Sequence, residues 1–394
     1  MPLTPKQKLA VGLTVMVVVL LGVGLGVGLG IPWAGTRGPH WKGGSGASGW
    51  GSGVAGAGGP DTGPGQRHPG TDVVHAARRA GSVPAHSPDF PVHAVFTWVN
   101  GEDEAWRASK RDTYQRLHGT PYKETPRDPM RAPDGRDELY YSVHAVTKFC
   151  PWLERVWIVT VRGHRPRWLG LGDGDGRAAA SAVVNGVLVT VVHHDRVMDP
   201  KCTPGPTFNS FAIESHIPHI AQLAEHFIMF NDDFFVGRPM HKSDFFTAKG
   251  QPVVDLRDAT MAINALPTMW GQHLRNTQAL SRALGLGPGL VPDHVAAPVR
   301  KSALAAVVKA TADTVCRMQP FRTNQDFVVW YLALNVVLPT KRRPRALVQK
   351  YFGAGDDFVR YMSPAGTKPP HLFCINQEFS PEARALLDTM LASP

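Results

Sequence analysis

The sequence predicts an α/β protein with a Rossmann-like, mostly parallel sheet, flanking helices and a more helical C-terminal third. Short runs of β-branched and aromatic residues alternate with stretches whose apolar residues recur at helical spacing. This alternation of strands and helices is typical of a parallel sheet covered by helices. Polar residues follow the apolar runs abruptly, and in open α/β sheets ligands bind at the carboxyl ends of the strands.

Four apolar runs are the predicted strands, at residues 93–99, 156–160, 187–192 and 227–230. The last run is too short for a helix and suits a fully buried strand. Asn100-Gly101-Glu102-Asp103 breaks the first strand. A polar, glycine-containing loop after a strand is a plausible nucleotide-binding turn.

Helical spacing predicts helices over residues 139–146, 301–314 and 325–338. A further helix is expected to start within residues 207–210, because Asn209 or Ser210 is suited to cap it. Small residues over 170–180 predict a loop.

The N-terminal part of the chain predicts a membrane anchor and a flexible stem. Residues 9–34 carry no charge, and a helix of this length spans a hydrocarbon core of about 30 Å. The segment is longer than a typical signal-peptide core, so we expect an uncleaved signal-anchor with residues 1–8 in the cytoplasm. Residues 35–90 are rich in Gly, Pro and Ser and predict a disordered stem, which leaves residues 91–394 as the folded domain.

Composition narrows the classes of partner. The chain of 394 residues has a formal net charge of +10, which favours anionic partners such as nucleotide sugars, acidic glycans or anionic lipids. Zinc-finger spacing, an RNP pattern and a basic helix are all missing from the sequence, so no nucleic-acid partner is expected.

The cysteines lack CxxC spacing, which argues against a zinc site, and their even number permits two disulfides in a lumenal domain. They are Cys150, Cys202, Cys316 and Cys374.

Asn231-Asp232-Asp233 follows the fourth predicted strand and is the leading candidate site. Adjacent carboxylates at the rim of a sheet form a candidate cation site, and hard oxygen ligands suit Mg²⁺ or Mn²⁺, which usually binds together with phosphate. The alternative is a turn, because Asn and Asp are common turn formers. His193-His194, after the third strand, is either a metal-binding pair or a hydrogen-bonding loop. The basic cluster at 341–345 is either a solvated loop or an acceptor-contacting patch.

Four blocks of the sequence form a specific set when they are taken in order. They are VFTWVNG at 95–101; DELYYSV at 137–143 with PW at 151–152, IVT at 158–160 and PRWL at 166–169; PTFNS at 206–210 with AIESH at 212–216 and FNDD at 230–233; and HLFCIN at 371–376. The set resembles the Stealth family of sugar-1-phosphate transferases over roughly residues 92 to 380. That family includes bacterial capsule polymerases and the enzyme that adds GlcNAc-1-phosphate to lysosomal glycoproteins.

The resemblance implies active-site roles for three further residues, His294, Arg322 and Asp326. The chain departs from the family pattern at Gly135, where the family has an acid, and at His144, where it has an arginine. The spacing after His294 also differs. These departures bear on the identity of the substrate more than on the type of reaction.

The predicted reaction moves a sugar-1-phosphate, such as GlcNAc-1-phosphate, from a UDP-GlcNAc-like nucleotide sugar to a hydroxyl of a glycan acceptor. Asp232 and Asp233 are expected to bind Mg²⁺ or Mn²⁺ at the pyrophosphate, since phosphoryl transfer depends on positioning and charge neutralisation. Arg322 is expected to hold phosphate bidentately. His294 is expected to take the hydroxyl proton, because an ordinary histidine pKa near 6.5 suits that role at neutral pH.

The other candidate residues are given supporting roles. Asp326 would orient His294 or add a cation ligand, Asn231 would orient an acid, Asn100 and Gly101 would line the nucleotide pocket, Asn209 and Glu214 would form the site wall, and Glu138 would bind sugar hydroxyls. Simpler alternatives exist for three of them: Asp326 as a helix cap, Arg322 as a surface ion-pair partner and His294 as a loop residue.

Two competing functions stay open at this stage. A metal-dependent glycosyltransferase would move the sugar alone and release a nucleoside diphosphate, and an inactive membrane-anchored protein would only bind glycans. The predicted location is that of a single-pass type II membrane protein, in the Golgi or another secretory-pathway membrane of a eukaryote or in the envelope of a bacterium. The reading is also compatible with a homodimer.

Overall fold

The computed structural model describes residues 68–80, 90–124, 136–171, 179–254, 256–257, 259–337, 347–376 and 380–393. Within these ranges, no helix combines the length and the apolar character needed to cross a membrane. The predicted anchor at 9–34 and the basic cluster at 341–345 lie outside the described residues, so both stay predictions.

The helices are α1 (Thr71–Ala80), α2 (Glu104–His118), α3 (Glu138–Phe149), α4 (Ser210–Ser215), α5 (Thr260–Asn264), α6 (Met269–Ala283), α7 (Lys301–Ala310), α8 (Ala312–Val315), α9 (Val329–Val337), α10 (Gly355–Met362) and α11 (Pro381–Ala392). The strands are β1 (Val92–Thr97), β2 (Arg155–Thr160), β3 (Ala180–Val184), β4 (Val187–His193), β5 (His226–Asn231), β6 (Phe234–Val236), β7 (Leu256–Arg257), β8 (Val291–Pro292), β9 (Ala297–Arg300), β10 (Gln349–Phe352) and β11 (Leu372–Ile375).

The main sheet has the strand order β3-β4-β2-β1-β5-β9. Its four central strands, β4, β2, β1 and β5, are parallel, which confirms the predicted mostly parallel α/β sheet. From β1 the chain builds outward through β2 and β4, and it then returns to place β5 on the other side of β1. The order therefore reverses between β1 and β5, where Thr97 pairs with Asn231. Such a reversal opens a crevice at the carboxyl ends of the two strands.

The two edge strands run antiparallel to the core of the sheet. β3 pairs with β4 through a tight turn at Asn185 and Gly186, both with positive φ (49° and 82°), as a two-residue hairpin requires. β9 pairs with β5 at the opposite edge. The loop predicted over residues 170–180 therefore ends where β3 begins, and that strand was not predicted.

Alternating side chains of the central strands pack into two separate apolar layers. Phe96 and Phe230 stack on one face, with ring centroids 4.7 Å apart, while Val95 and Met229 belong to the layer on the other face. The first layer includes residues of α3, α11 and the smaller sheet, and the second includes residues of α7 and α9. A sheet covered on both faces explains why its strands are almost continuously apolar.

A smaller sheet, with the order β10-β11-β6, follows directly from the main one. Only Asp232 and Asp233 separate β5 from β6, and β6 pairs antiparallel with β11. The backbone N–H of Ile375 donates to the Asp233 carbonyl at 3.1 Å, which fixes β11 beside the two acids.

The helices differ in detail from those predicted. The helix predicted over 301–314 is interrupted at Thr311, and the one predicted over 325–338 begins at Val329. Helix α1 lies in a stretch that was predicted to be a disordered stem, and for residues 71–80 that prediction is wrong. Val74 is buried, and the Arg78 guanidinium donates to the carbonyls at the end of α9, so apolar burial and capping order this helix.

One disulfide joins Cys202, which precedes α4, to Cys316, which follows α8. Cys150 and Cys374 are buried thiols, so the structure forms one of the two disulfides that the cysteine count permits.

Candidate active site

The rim of the main sheet at the β1/β5 reversal carries two of the predicted site segments. Asn231 ends β5, Asp232 and Asp233 follow it, and Asn100 and Gly101 lie in the loop after β1. Asn231 and the two acids are half-buried. The paired strands thus bring the predicted cation ligands and the predicted nucleotide turn to one edge of the sheet.

The Asp233 carboxylate lies in an environment that disfavours its charge. Burial, together with the neighbouring Asp232, raises the pKa of Asp233 to about 7, although the Cys374 thiol donates to its Oδ2 at 3.2 Å and Arg322 also opposes the shift. Two like charges forced together away from water are stabilised when a cation binds between them. The acid pair therefore has the electrostatic character of a cation site.

His294, in the loop between β8 and β9, approaches the same acid. One nitrogen of its ring lies within 4.8 Å of a carboxylate oxygen of Asp233. The rings of Phe234, Trp270 and Tyr351 surround the imidazole at centroid distances of 5.0, 5.6 and 5.7 Å. Burial, reinforced by the charge of Arg322, lowers the pKa of His294 to about 4. The imidazole is therefore neutral at physiological pH.

Helix α4 contributes a buried carboxyl group to this region. The side chain of Asn209 caps the helix by accepting from the Phe211 N–H, which decides between the two predicted caps. Glu214 is 3% exposed, and its Oε2 has no hydrogen-bond partner. Burial raises the pKa of Glu214 to about 7, while Arg322 and Ser210 oppose the shift. A buried acid with a raised pKa beside an arginine is a typical functional-site feature.

Arg322 lies where the charges of these segments meet. Its guanidinium donates to Ser210 Oγ and stacks over the Phe211 ring at 4.5 Å. Its charge influences the pKa of Glu214, Asp233 and His294. Although protein atoms surround the side chain, the residue stays exposed to solvent. A fixed, accessible guanidinium is suited to bind an incoming phosphate group.

Asp326 holds the segment that carries Arg322 against α4. Its Oδ2 accepts from the Asn209 amide at 2.9 Å and from the Thr323 N–H at 2.7 Å. The carboxylate therefore closes the turn that follows Arg322 and fixes it to the cap of α4. Helix α9 begins later, at Val329, so Asp326 stabilises this turn and not the first turn of the helix.

The loops after β1 and before α3 meet at the same rim. The Asn100 N–H donates to His164 Nδ1 at 3.0 Å, and Gly101 is buried. Trp98 donates from its indole to Asp137, the N-cap of α3, at 2.9 Å. This bond places Glu138, the first residue of α3, beside the end of β1.

His193 and His194 are not part of the acidic cluster. His193 Nε2 lies 3.3 Å from the His164 carbonyl, so it supports the loop that holds Asn100. Among the described residues, the group of side chains with metal-ligand spacing is Asp233, His294 and Cys374. The interpretation of the histidine pair as a hydrogen-bonding loop therefore fits the structure better than the metal-binding alternative.

Several site residues were missed by sequence reasoning. Cys374 was noted only among the cysteines and in the HLFCIN block, Ser210 only as a possible helix cap and in the PTFNS block, and Phe211 was not singled out. Their signal was local, because each lies within a block that also carries a candidate residue or borders one. Their contacts with Asp233 and Arg322, however, join distant segments of the chain.

Comparison with known proteins identifies the family. Residues 90–113 match the model of Stealth protein conserved region 1, and residues 133–254 match that of conserved region 2. The chain is 30% identical over 312 residues to the capsular polysaccharide phosphotransferase LcbA of Neisseria meningitidis, a match that covers 74% of this chain and 78% of that relative. The chain belongs to the Stealth family of sugar-phosphate transferases.

Other relatives agree with this assignment. The capsular polysaccharide phosphotransferase LcbA of Aeromonas hydrophila is 31% identical over 315 residues, which cover 73% of this Stealth chain and 79% of the relative. An exopolysaccharide phosphotransferase of Streptomyces coelicolor is 41% identical over 162 residues, which cover 41% of this chain and 24% of the relative. The resemblance drawn from the four sequence blocks is confirmed, and with it the prediction of a phosphate-transferring enzyme.

The two Stealth conserved regions contain the rim of the sheet but not the residues on the other side of the site. Region 1 contains β1, its loop and part of α2, and region 2 extends from before α3 to beyond β6 and includes both acids. His294, Arg322, Asp326 and Cys374 lie outside both regions. The structure brings His294 and Cys374 to Asp233 and fixes Asp326 to the cap of α4.

The donors at this rim fit a hard divalent cation. Asp232 and Asp233 supply adjacent, half-buried carboxylates, and carboxylate oxygens are the ligands that Mg²⁺ and Mn²⁺ prefer. Burial and the neighbouring Asp232 raise the pKa of Asp233, so a bound cation would offset the cost of ionising this carboxyl. The residues present are thus able to hold such an ion.

Proposed function

We propose that this Stealth protein transfers a sugar-1-phosphate from a nucleotide sugar to a hydroxyl group of a glycan acceptor in polysaccharide synthesis. The observation that carries the proposal is the meeting of Asp233, His294 and Arg322 at the strand-order reversal, although they come from three distant parts of the chain. Open α/β sheets bind nucleotides at this position. The names of the relatives, which are polysaccharide phosphotransferases, support an acceptor of the same class.

The reaction forms a bond between the acceptor oxygen and the sugar-linked phosphorus. It breaks the pyrophosphate bond, so the nucleoside monophosphate leaves, and the hydroxyl proton passes to a nitrogen of His294. Because the pKa of His294 is lowered to about 4, the imidazole is unprotonated and ready to accept. The negative charge of a bound pyrophosphate opposes the effect of Arg322 and raises this pKa toward the range useful for proton transfer.

Arg322 is proposed to bind the phosphate that is transferred. The stacking on Phe211 and the hydrogen bond to Ser210 fix the plane of the guanidinium, while the exposure of the residue leaves donors for substrate. An arginine presents paired donors that match phosphate oxygens, which a lysine does not. Asp326 is proposed to act through Arg322, because its bonds to Asn209 and Thr323 position the arginine segment.

Asp232 and Asp233 are proposed to hold Mg²⁺ or Mn²⁺, with Asn231 beside them. When bound, such an ion neutralises charge on the phosphate oxygens. Asn100 and Gly101 are proposed to contact the nucleotide, since their loop follows the strand next to β5. Glu138, at the start of α3, is proposed to bind sugar hydroxyls, and UDP-GlcNAc is the first donor to test.

The deciding experiment measures which nucleotide is released. The full-length chain is incubated with Mg²⁺, a glycan acceptor and each of a panel of nucleotide sugars, and products are separated by chromatography. Release of nucleoside monophosphate together with a phosphodiester-linked sugar on the acceptor is the expected result. Release of nucleoside diphosphate would instead establish a glycosyltransferase that moves the sugar alone.

Matched variants connect the activity to the site. Asp232→Asn and His294→Ala are expected to lower kcat by at least about 10²-fold, the lower range for loss of a positioned acid–base or charge-stabilising group. Asp313→Asn, which alters an exposed acid at the start of α8, serves as the control and is expected to retain full activity. Equal losses in all three variants would refute the assignment of the site.

A further inference from the structure

Asp233, His294 and Cys374 form a cluster whose chemistry differs from that of the acid pair. One donor atom from each side chain lies within 4.8 Å of the others. The residues come from the β5–β6 connection, the β8–β9 loop and strand β11. Asp233 and His294 are half-buried, whereas Cys374 is fully buried.

The cluster is nearly preformed for a small tetrahedral ion. Ligand bonds of about 2.0–2.3 Å place donor atoms of a tetrahedral zinc site roughly 3.3–3.8 Å apart. The Cys374 Sγ and Asp233 Oδ2 atoms already lie 3.2 Å apart, and the imidazole nitrogen lies within 4.8 Å of both, so a movement of at most about 1.5 Å would complete the site. Three protein ligands would leave the fourth position open to the crevice.

The imidazole provides an independent indication of a missing ligand. Its Nδ1 is shielded from water and has no hydrogen-bond partner, and a buried polar atom without a partner is costly unless something binds it. Three aromatic rings surround the side chain. Their faces and edges pack against the ring, and none of the described residues hydrogen-bonds to Nδ1.

We propose that Asp233, His294 and Cys374 form a binding site for a thiophilic divalent ion such as Zn²⁺. Carboxylate, imidazole and thiolate together favour zinc over magnesium, which prefers oxygen ligands. The thiol proton passes to solvent as the sulfur–metal bond forms. The ion occupies Asp233 and His294, which the proposed function assigns to cation and proton binding. A bound zinc ion would therefore inhibit the transferase, and this part of the inference rests on the proposed function.

Cobalt provides a direct probe of the cysteine ligand. Co²⁺ is added to the full-length protein without reductant, which leaves the Cys202–Cys316 disulfide intact. A thiolate-to-cobalt charge-transfer band is expected, and Zn²⁺ should remove it by displacement. Cys374→Ser should abolish the band, whereas Cys150→Ser, a change at the other buried thiol, should preserve it.

Two further measurements separate binding from folding and from catalysis. His294→Gln retains the thiol, and it is expected to weaken cobalt binding by more than the roughly 10–100-fold that loss of an outer-shell partner costs. In the unaltered enzyme, Zn²⁺ should raise the thermal unfolding midpoint and inhibit Mg²⁺-supported release of nucleoside monophosphate.

The outcomes are distinguishable. A missing charge-transfer band, or one that survives in Cys374→Ser, overturns the zinc site whatever the activity assay shows. Full activity with Zn²⁺ in place of Mg²⁺ overturns its inhibitory role. Absence of any nucleoside monophosphate release, with the cobalt band present and sensitive to Cys374→Ser, refutes the proposed function and leaves the metal site standing.

Discussion

The activity of the enzyme at limiting Mg²⁺ is expected to fall as the pH drops below 7, because Asp233 has to lose a proton before it binds a cation. The pKa of this carboxyl is raised to about 7 by burial and by Asp232. A raised pKa means that the ionised form is present above pH 7 and is lost as the pH falls through that value. His294 does not set this limb, since its pKa is lowered to about 4.

The size of the effect follows from the fraction of Asp233 that is ionised. With a pKa of about 7, that fraction is about nine-tenths at pH 8 and about one-tenth at pH 6, so kcat/KM should fall roughly tenfold over this interval. The pKa of Glu214 is also raised to about 7. If activity requires ionised Glu214 as well as ionised Asp233, kcat/KM falls more steeply with decreasing pH. Glu214→Gln then restores the slope of a single group.

Magnesium and protons compete for the same carboxylate, and this competition supplies the test. Mg²⁺ at about 100 times its dissociation constant should shift the acid limb about two pH units lower. The assay measures nucleoside monophosphate release between pH 5 and 9 at limiting and saturating Mg²⁺. This pH range contains both the raised pKa of Asp233 and the lower value expected with Mg²⁺. Activity at limiting Mg²⁺ that stays level from pH 8 down to pH 5 would refute the reasoning, because the limb would then belong to a group of lower pKa such as His294.

Three other outcomes are expected. Glu214→Gln should raise the free energy of unfolding by about 3 kcal/mol at pH 8 without Mg²⁺ and by almost nothing below pH 4.5. The reason is that the buried carboxyl has a pKa of about 7 when folded and near 4.5 when unfolded. Urea denaturation at both pH values checks this, and a gain independent of pH would contradict it. Arg322→Ala should lower kcat by about 10³-fold or more, and Arg322→Lys by less, since lysine keeps the charge but lacks the paired donors of the guanidinium. Steady-state kinetics checks this, with Arg317→Lys as the control. Equal losses in Arg322→Ala and Arg322→Lys would indicate a purely structural role. Replacing both Cys202 and Cys316 by serine should lower the free energy of unfolding by about 2–4 kcal/mol, because the bridge closes a long loop over 114 residues; unchanged stability in urea denaturation would show that the bridge does not constrain the unfolded chain.

Much of the fold could be predicted because local patterns determine it. The four parallel strands are apolar on both faces, and the polar residues that follow them mark the rim of the sheet. The acid pair was found for the same reason, since Asp232 and Asp233 interrupt an apolar run. The strands lay within about two residues of their predicted ends, as expected when burial sets them.

The wall of the site opposite the sheet depends on contacts that local patterns do not encode. The Cys374 thiol bonds to Asp233 across 141 positions of the sequence, and Arg322 reaches Ser210 across 112. Neither contact has a periodicity to reveal it. Helix α1 was missed because its surroundings are rich in Gly and Pro, and its stability comes from packing against α7 and α9. Tertiary burial there outweighs a weak local preference.

The two-residue connection between β5 and β6 limits how this family member can be engineered. Phe234, Phe235 and Val236 are all buried, and Phe234 pairs with Cys374 across the smaller sheet. Because side chains alternate along a strand, one added residue after Asp233 would exchange the two faces of β6. It would also carry the thiol out of register with the acid. Length changes at this junction are therefore expected to disable the enzyme even when every catalytic side chain is retained.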